Sequence, residues 1–155
     1  MKTALITGAN GQDAFYLTKF LLQKNYRIVL TTRRLISDFF TQFCIDLGDL
    51  SLKNNNTIII ESKDFEYKEI KNIITQYEIS EIYNLGGHSN VVNSFKNPSL
   101  IIKDPLKNFE TLTKIIIDLG SHIKLFQASS SEMFEDIGDG LLDENSKFNP
   151  LSPLS

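Results

Sequence analysis

Cys44 is the only cysteine in 155 residues, so no intrachain disulfide can form and a reducing compartment suits the chain. Positive charge is not in excess either. Sixteen Lys and Arg stand against nineteen Asp and Glu, a formal net charge of −3 without a basic block. That balance speaks against a nucleic-acid binder held by phosphate contacts. Long apolar runs are missing, and the longest, such as Ile58–Ile60 and Ile115–Ile117, fall far short of a bilayer span. Met1–Gly8 carry one Lys ahead of a glycine turn, without the apolar stretch or small-residue cleavage site of a secretory signal. Internal repeats and low-complexity segments are absent, and no metal site is expected. The expectation is a cytoplasmic protein with neither membrane nor nucleic-acid partner.

What is present is an ordinary globular balance of 41% hydrophobic and 23% charged residues. A chain of this length suits one domain that buries roughly 68–70% of its unfolded surface. Short apolar runs alternate with stretches of helical period. Ala4–Thr7, Arg27–Thr31, Thr57–Glu61, Glu81–Leu85 and Ile123–Gln127 read as strands. Asp13–Lys24 reads as an amphipathic helix, with Asn25 at its left-handed stop. Leu35, Phe39, Phe43 and Leu47 suggest a second helix, and Phe65–Tyr77 a third with Ile70, Ile73 and Ile74 inward. Asp104-Pro105 reads as N-cap and first position of a fourth, whose stripe is Leu106, Phe109, Leu112, Ile116 and Leu119 and whose end is Gly120. From Phe134 the tail is acidic and irregular. Strand–helix alternation predicts an α/β fold with right-handed crossovers and a parallel sheet. Ligands of such sheets sit at the carboxyl ends of the strands.

The residues just after the strands are the unusual ones. Gly8-Ala9-Asn10-Gly11-Gln12-Asp13-Ala14 is a G-x-x-G-x-x-A turn that opens a helix. Gly8 permits the tight turn, Gly11 lets a pyrophosphate approach the backbone, and Ala14 lets the helix pack closely on the sheet. Glycines also serve strand-to-helix turns that bind nothing, but here strand, turn and helix follow at the spacing dinucleotide binding requires. The second strand runs into Thr31-Thr32-Arg33-Arg34 instead of the acid that would bind a ribose 2′-hydroxyl. Two guanidinium groups suit a 2′-phosphate, which favours NADP over NAD. Two solvated arginines at a helix start are the plainer alternative. After the third strand, Asp64 suits an adenine amino group with Phe65 beside the ring, or else an N-cap. After the fourth, Leu85, Gly86, Gly87 and Ser89 allow close backbone approach to a cofactor. His88 and His122 receive no chemical role.

Gly8–Ala14 with Gln12-Asp13, then Arg33-Arg34, Glu81-Ile82-Tyr83-Asn84-Leu85, Ser94-Phe95 and Gln127-Ala128-Ser129-Ser130-Ser131-Glu132-Met133 together resemble the GDP-mannose 4,6-dehydratases, extended short-chain dehydrogenases/reductases. The resemblance covers almost the whole chain. It implies a Rossmann-like doubly wound sheet, truncated before the substrate-binding region. It also implies a cofactor-binding domain over 1–135 and a tail over 136–155 that leads toward the family's catalytic Tyr/Lys helix. It implies an NADP cofactor held by Gly8, Asn10, Gly11, Gln12, Asp13, Arg33, Arg34, Asp64, Leu85, Gly86, Gly87 and Ser89. The substrate it implies is GDP-mannose or a related nucleotide sugar, and the assembly a homo-oligomer. By the same resemblance Ser130 matches a catalytic Thr at the sugar O4, and Glu132 is the carboxylate that takes the C5 proton. On residues alone, Ser129–Ser131 also fit a polar turn and Glu132 a helix-start acid.

One departure bears on activity. The family's Pro-x-Ser-Pro-Tyr-x-x-x-Lys motif aligns with Pro150-Leu151-Ser152-Pro153-Leu154, which puts Leu154 at the Tyr position. Leucine has no titratable group and cannot act as a base. Phe134-Glu135, His88 and Leu100 also differ from the pattern. The alternatives are therefore the NADP-binding portion of a dehydratase, part of a related epimerase, dehydratase or reductase, or an NADP-binding interaction module without turnover.

Overall fold

The computed structural model describes residues 1–35, 42, 45, 56–87, 91–96, 98–120, 122–134 and 141–153. The helix expected from Phe39, Phe43 and Leu47 lies outside them. Five strands form one sheet: β1 (Thr3–Thr7), β2 (Arg27–Thr32), β3 (Thr57–Glu61), β4 (Glu81–Asn84) and β5 (Lys124–Gln127). Their order is β3-β2-β1-β4-β5, and every pair is parallel. The expected α/β sheet is therefore present, each strand within two residues of its predicted bounds.

The chain divides into two compact units, Met1–Gly86 with Asn108–Gln127, and Gly87–Lys107 with Ala128–Ser155. The first holds the sheet. Side chains alternate along each strand, so each strand feeds two cores. Ala4, Ile6, Ile28 and Leu30 pack against Ala14, Leu21 and Leu22 of α1 (Gln12–Gln23). Leu5, Val29 and Ile82 pack on the other face, against Ile70, Ile73 and Ile74 of α2 (Tyr67–Gln76) and Leu112 and Ile115. With helices on both faces, the central strands read as continuous apolar runs. Leu5, Ile6, Ile28, Leu30 and Ile82 are fully enclosed, each stabilising the fold by up to about 1.5–3 kcal/mol.

Three local expectations are corrected. Asp104-Pro105 does not start a helix. After α3 (Val91–Lys96), which the sequence reading left unassigned, α4 runs over Pro98–Leu119 with Pro105 inside it. Pro98 takes the first position, where the missing N–H costs nothing, whereas Pro105 lies inside the helix, where it forfeits its helical bond and crowds the carbonyl of residue 101. Residues 98–107 of α4 belong to the second unit and 108–119 to the first. The stripe is also shifted: Leu106 and Phe109 are exposed, and Ile115, one helical turn after Leu112, takes the buried place. Finally, α2 begins at Tyr67 because Phe65 has φ +51 and Glu66 is the N-cap, so Asp64 does not cap it. Asn25 (φ 60) and Gly120 (φ 56) adopt the left-handed stops their helices require.

Where the strands begin, Glu81 gathers three partners. It accepts from Lys2 Nζ at 2.8 Å, Tyr83 OH at 3.0 Å and Tyr26 OH at 3.3 Å. The Lys2 bond holds the Glu81 carboxyl below its ordinary 4.5, against the opposing effect of burial. A carboxyl whose folded pKa is depressed contributes stability above 4.5 and loses it as pH falls through the folded value. Urea melts of Glu81→Gln should show lower stability than the parent at neutral pH. The difference should close as pH falls below 4.5, and an unchanged difference at about pH 3 would contradict the assignment.

Candidate functional site

The exit of β1 is shaped by one backbone crossing. Gly8 has φ +73, and a Cβ there would lie 2.8 Å from Gly86 Cα and 2.9 Å from Gly86 N. Both conformation and space therefore require glycine. Ala9 N–H donates to Thr31 O at 3.1 Å and Gly11 N–H to Gly8 O at 2.8 Å, which folds the turn back on itself. Gly11 is then the N-cap of α1 and offers no side chain to the first-turn amides. Such amides carry partial positive charge and point at whatever lies beyond the helix end. Ala14 is fully buried in the core, and Thr18 Oγ1 donates to its carbonyl at 2.6 Å. Asn10, Gly11, Gln12 and Asp13 are exposed beside these amides.

The exit of β2 lies next to that turn. Asn10 Nδ2 donates to Arg34 O at 3.1 Å, and Thr32 Oγ1 donates to the same carbonyl at 3.2 Å. Arg33 and Arg34 are exposed. At the exit of β3, Ser62 N–H donates to Thr32 O at 2.8 Å. Asp64 is exposed there, while the Phe65 ring is 6% exposed and packs among Ile70, Ile73 and Ile74.

At the exit of β4, Thr7 Oγ1 donates to Asn84 Oδ1 at 2.6 Å and accepts from Leu85 N–H at 3.1 Å and Gly86 N–H at 3.0 Å. One hydroxyl thus uses its proton and both lone pairs. Asn84 Nδ2 donates onward to Gln127 Oε1 at 2.6 Å, so three strand ends share one polar chain. Gly87, exposed, opens the second unit, with open space around its Cα, and Ser89 lies outside the described residues.

In the second unit, Ser131–Phe134 form one turn of 3-10 helix. Ser130 Oγ accepts from Glu132 N–H at 3.2 Å, in the manner of an N-cap, and both residues are partly buried. Asn149 N–H donates to Met133 O at 2.9 Å, and the rings of Phe134 and Phe148 stand 5.2 Å apart. Leu154 lies outside the described residues.

Residues 5–155 match the GDP-mannose 4,6 dehydratase family. The chain belongs to that family. It is 33% identical to the GDP-mannose 4,6-dehydratase of Vibrio cholerae, over 99% of this chain and 42% of that protein. It is also 33% identical to GDP-mannose 4,6 dehydratase 2 of Arabidopsis thaliana, with the same two shares. The chain thus spans less than half the length of these relatives. Among solved structures it superposes on a UDP-glucose 4-epimerase from Stenotrophomonas maltophila with a TM-score of 0.84 at 13% identity, over 99% of this chain and 44% of that one. A dTDP-glucose 4,6-dehydratase from Bacillus anthracis gives 0.74 at 17%, over 99% and 46%. These likenesses carry the fold alone.

In this member of the GDP-mannose 4,6 dehydratase family, the structure brings Gly8, Asn10, Gly11, Gln12, Asp13, Arg33 and Arg34 to adjoining strand exits of the first unit. Sequence reasoning missed Thr7, Thr32 and the role of Asn84. A polar residue closing an apolar strand was the available signal: Thr7 and Asn84 are 2% and 1% exposed, a burial that demands partners. Thr7→Val keeps the shape but strands two N–H donors and the Asn84 oxygen. Urea denaturation should show a loss of at least about 3 kcal/mol, since each of the three stranded groups costs about 1–3 kcal/mol. Thr7→Ser should lose much less.

Proposed function

We propose that this chain is the NADP-binding portion of a GDP-mannose 4,6-dehydratase acting in the cytoplasm. The observation that carries the reading is the joining of two cationic features. The uncapped N-terminus of α1 and the exposed Arg33 and Arg34 are held together by the Asn10–Arg34 bond. A pyrophosphate suits the first, and a ribose 2′-phosphate suits the second. The donor set thus fits the cofactor, with Asp64 suited to the adenine side and Leu85 and Gly86 to the nicotinamide half. NADP⁺, when bound, supplies an acceptor and later a donor of hydride. Arabidopsis and Vibrio relatives named as GDP-mannose 4,6-dehydratases support GDP-mannose as the sugar nucleotide. A homo-oligomer accords with the family.

In this reading the substrate loses hydride from C4 and a proton from O4, then a proton from C5 and hydroxide from C6; hydride returns to C6 and a proton to C5. The net change is loss of water, giving GDP-4-keto-6-deoxy-mannose. Glu132 takes the C5 proton. The Ser130 hydroxyl accepts the Glu132 amide and keeps its own proton to donate to the sugar O4. Leu154 has no group that could take the O4 proton, and general-base assistance is worth about 10²–10⁴-fold. This supports a second reading, an NADP-binding module without turnover.

Calorimetric titration of the 155-residue chain should show tighter binding of NADP⁺ than of NAD⁺. Replacing Arg33 and Arg34 with Ala should abolish the difference, at up to about 1.5–3 kcal/mol for each charge-assisted contact. Equal affinities in the parent would refute the NADP assignment. The same chain incubated with GDP-mannose and NADP⁺ should form no 4-keto product above background. Turnover would remove the argument from Leu154.

A further inference from the structure

We propose that Asn10, whose carboxamide donates to the Arg34 carbonyl, sets cofactor preference by fixing the backbone that presents Arg33 and Arg34, in place of the direct cofactor contact that the family resemblance implies for it. This rests on the NADP reading above and assigns the residue that makes it selective.

Two successive residues of the glycine turn hold the exit of β2. Ala9 N–H reaches Thr31 O at 3.1 Å, and Asn10 Nδ2 reaches Arg34 O at 3.1 Å. Arg33 lies between the two tethered carbonyls. The second tether is reinforced from the strand side. Thr32 Oγ1 donates to Arg34 O at 3.2 Å and accepts from Arg34 N–H at 3.4 Å. The Arg34 carbonyl therefore receives two donors, one from its own strand end and one from a residue 24 positions away. The side chains that follow β2 do not anchor this loop by burial, since Arg33 and Arg34 are exposed and Leu35 is 46% exposed.

A guanidinium on an untethered loop must order that loop when it closes on a phosphate, and the entropy lost is subtracted from affinity. A carboxamide that orders the backbone beforehand removes that cost. The benefit reaches only a ligand that carries the 2′-phosphate. A residue that touched the pyrophosphate would instead serve NADP⁺ and NAD⁺ alike. Asn10 is thus a positioning residue, acting through the main chain of Arg34.

The test is a double-mutant cycle in the 155-residue chain, with NADP⁺ and NAD⁺ titrated calorimetrically and folding checked by circular dichroism. Asn10→Ala should weaken NADP⁺ about five- to tenfold, the worth of one hydrogen bond, and weaken NAD⁺ by clearly less. In the background of Arg33→Ala with Arg34→Ala, the same substitution should have no further effect on NADP⁺, because coupled residues are non-additive. Equal losses for both cofactors, or additive losses for NADP⁺, overturn the proposal while leaving the NADP reading intact. A parent chain that does not distinguish the two cofactors overturns both, and that result is visible before any variant is made.

Discussion

Two stretches of backbone cross where β1 and β4 leave the sheet, with no room for a side chain on Gly8 and a tight fit for one on Gly86. A Cβ on Gly8 would meet Gly86 Cα at 2.8 Å, and one on Gly86 would meet Thr7 Oγ1 at 3.2 Å. Much else follows from that approach. It brings the Leu85 and Gly86 amides to the Thr7 hydroxyl, which passes its own proton to Asn84 and so engages Gln127 at the end of β5. It also sends the chain back toward β2, where Ala9 N–H meets Thr31 O, before α1 begins at Gln12. The position of the helix N-terminus thus depends on a close backbone approach that glycine at position 8 permits. The polar chain then locks it.

The two ends of the sheet handle charge differently. At the starting end, the Glu81 carboxylate is surrounded by a lysine and two tyrosine hydroxyls of the same unit. Such a cluster holds strands together and offers little to a ligand. At the exit end, a helix begins without a side-chain cap, and two arginines stand exposed beside it. The contrast accords with the proposed function, since ligands of parallel sheets bind at the carboxyl ends of the strands.

Strand runs such as Ala4–Thr7 were legible because a strand buried on both faces is largely apolar, and turn residues bound it. The glycine turn was legible because Gly8 must adopt a conformation other residues avoid. What escaped was tertiary. Pro105 carries a strong local signal for a helix start, yet α4 passes straight through it because its true beginning, Pro98, satisfies the same rule seven residues earlier. Phe65 looked like the opening of a helix by its apolar period, but its φ of +51 delays α2 by two residues while its ring fills the core. The tether from Asn10 to Arg34 spans 24 positions and has no periodicity to betray it. Arg33 and Arg34 were readable as chemistry, whereas what aims them was not.

The sheet order also governs when the domain can form. β1 lies at the centre, all five of its residues are buried, and its two neighbours arrive at very different times. β2 follows within one helix, but β4 pairs with β1 through contacts such as Thr7 with Asn84, separated by 77 positions. During synthesis, the edge of β1 that pairs with β4 must therefore wait with its N–H and C=O groups unpaired until β4 emerges. Closing so long a loop is slow, and open edges of this kind are where chains pair wrongly. The hydroxyl of Thr7 can acquire its full set of partners only at that late step. The arrangement that positions the glycine turn is consequently completed after most of the sheet's sequence has already been made.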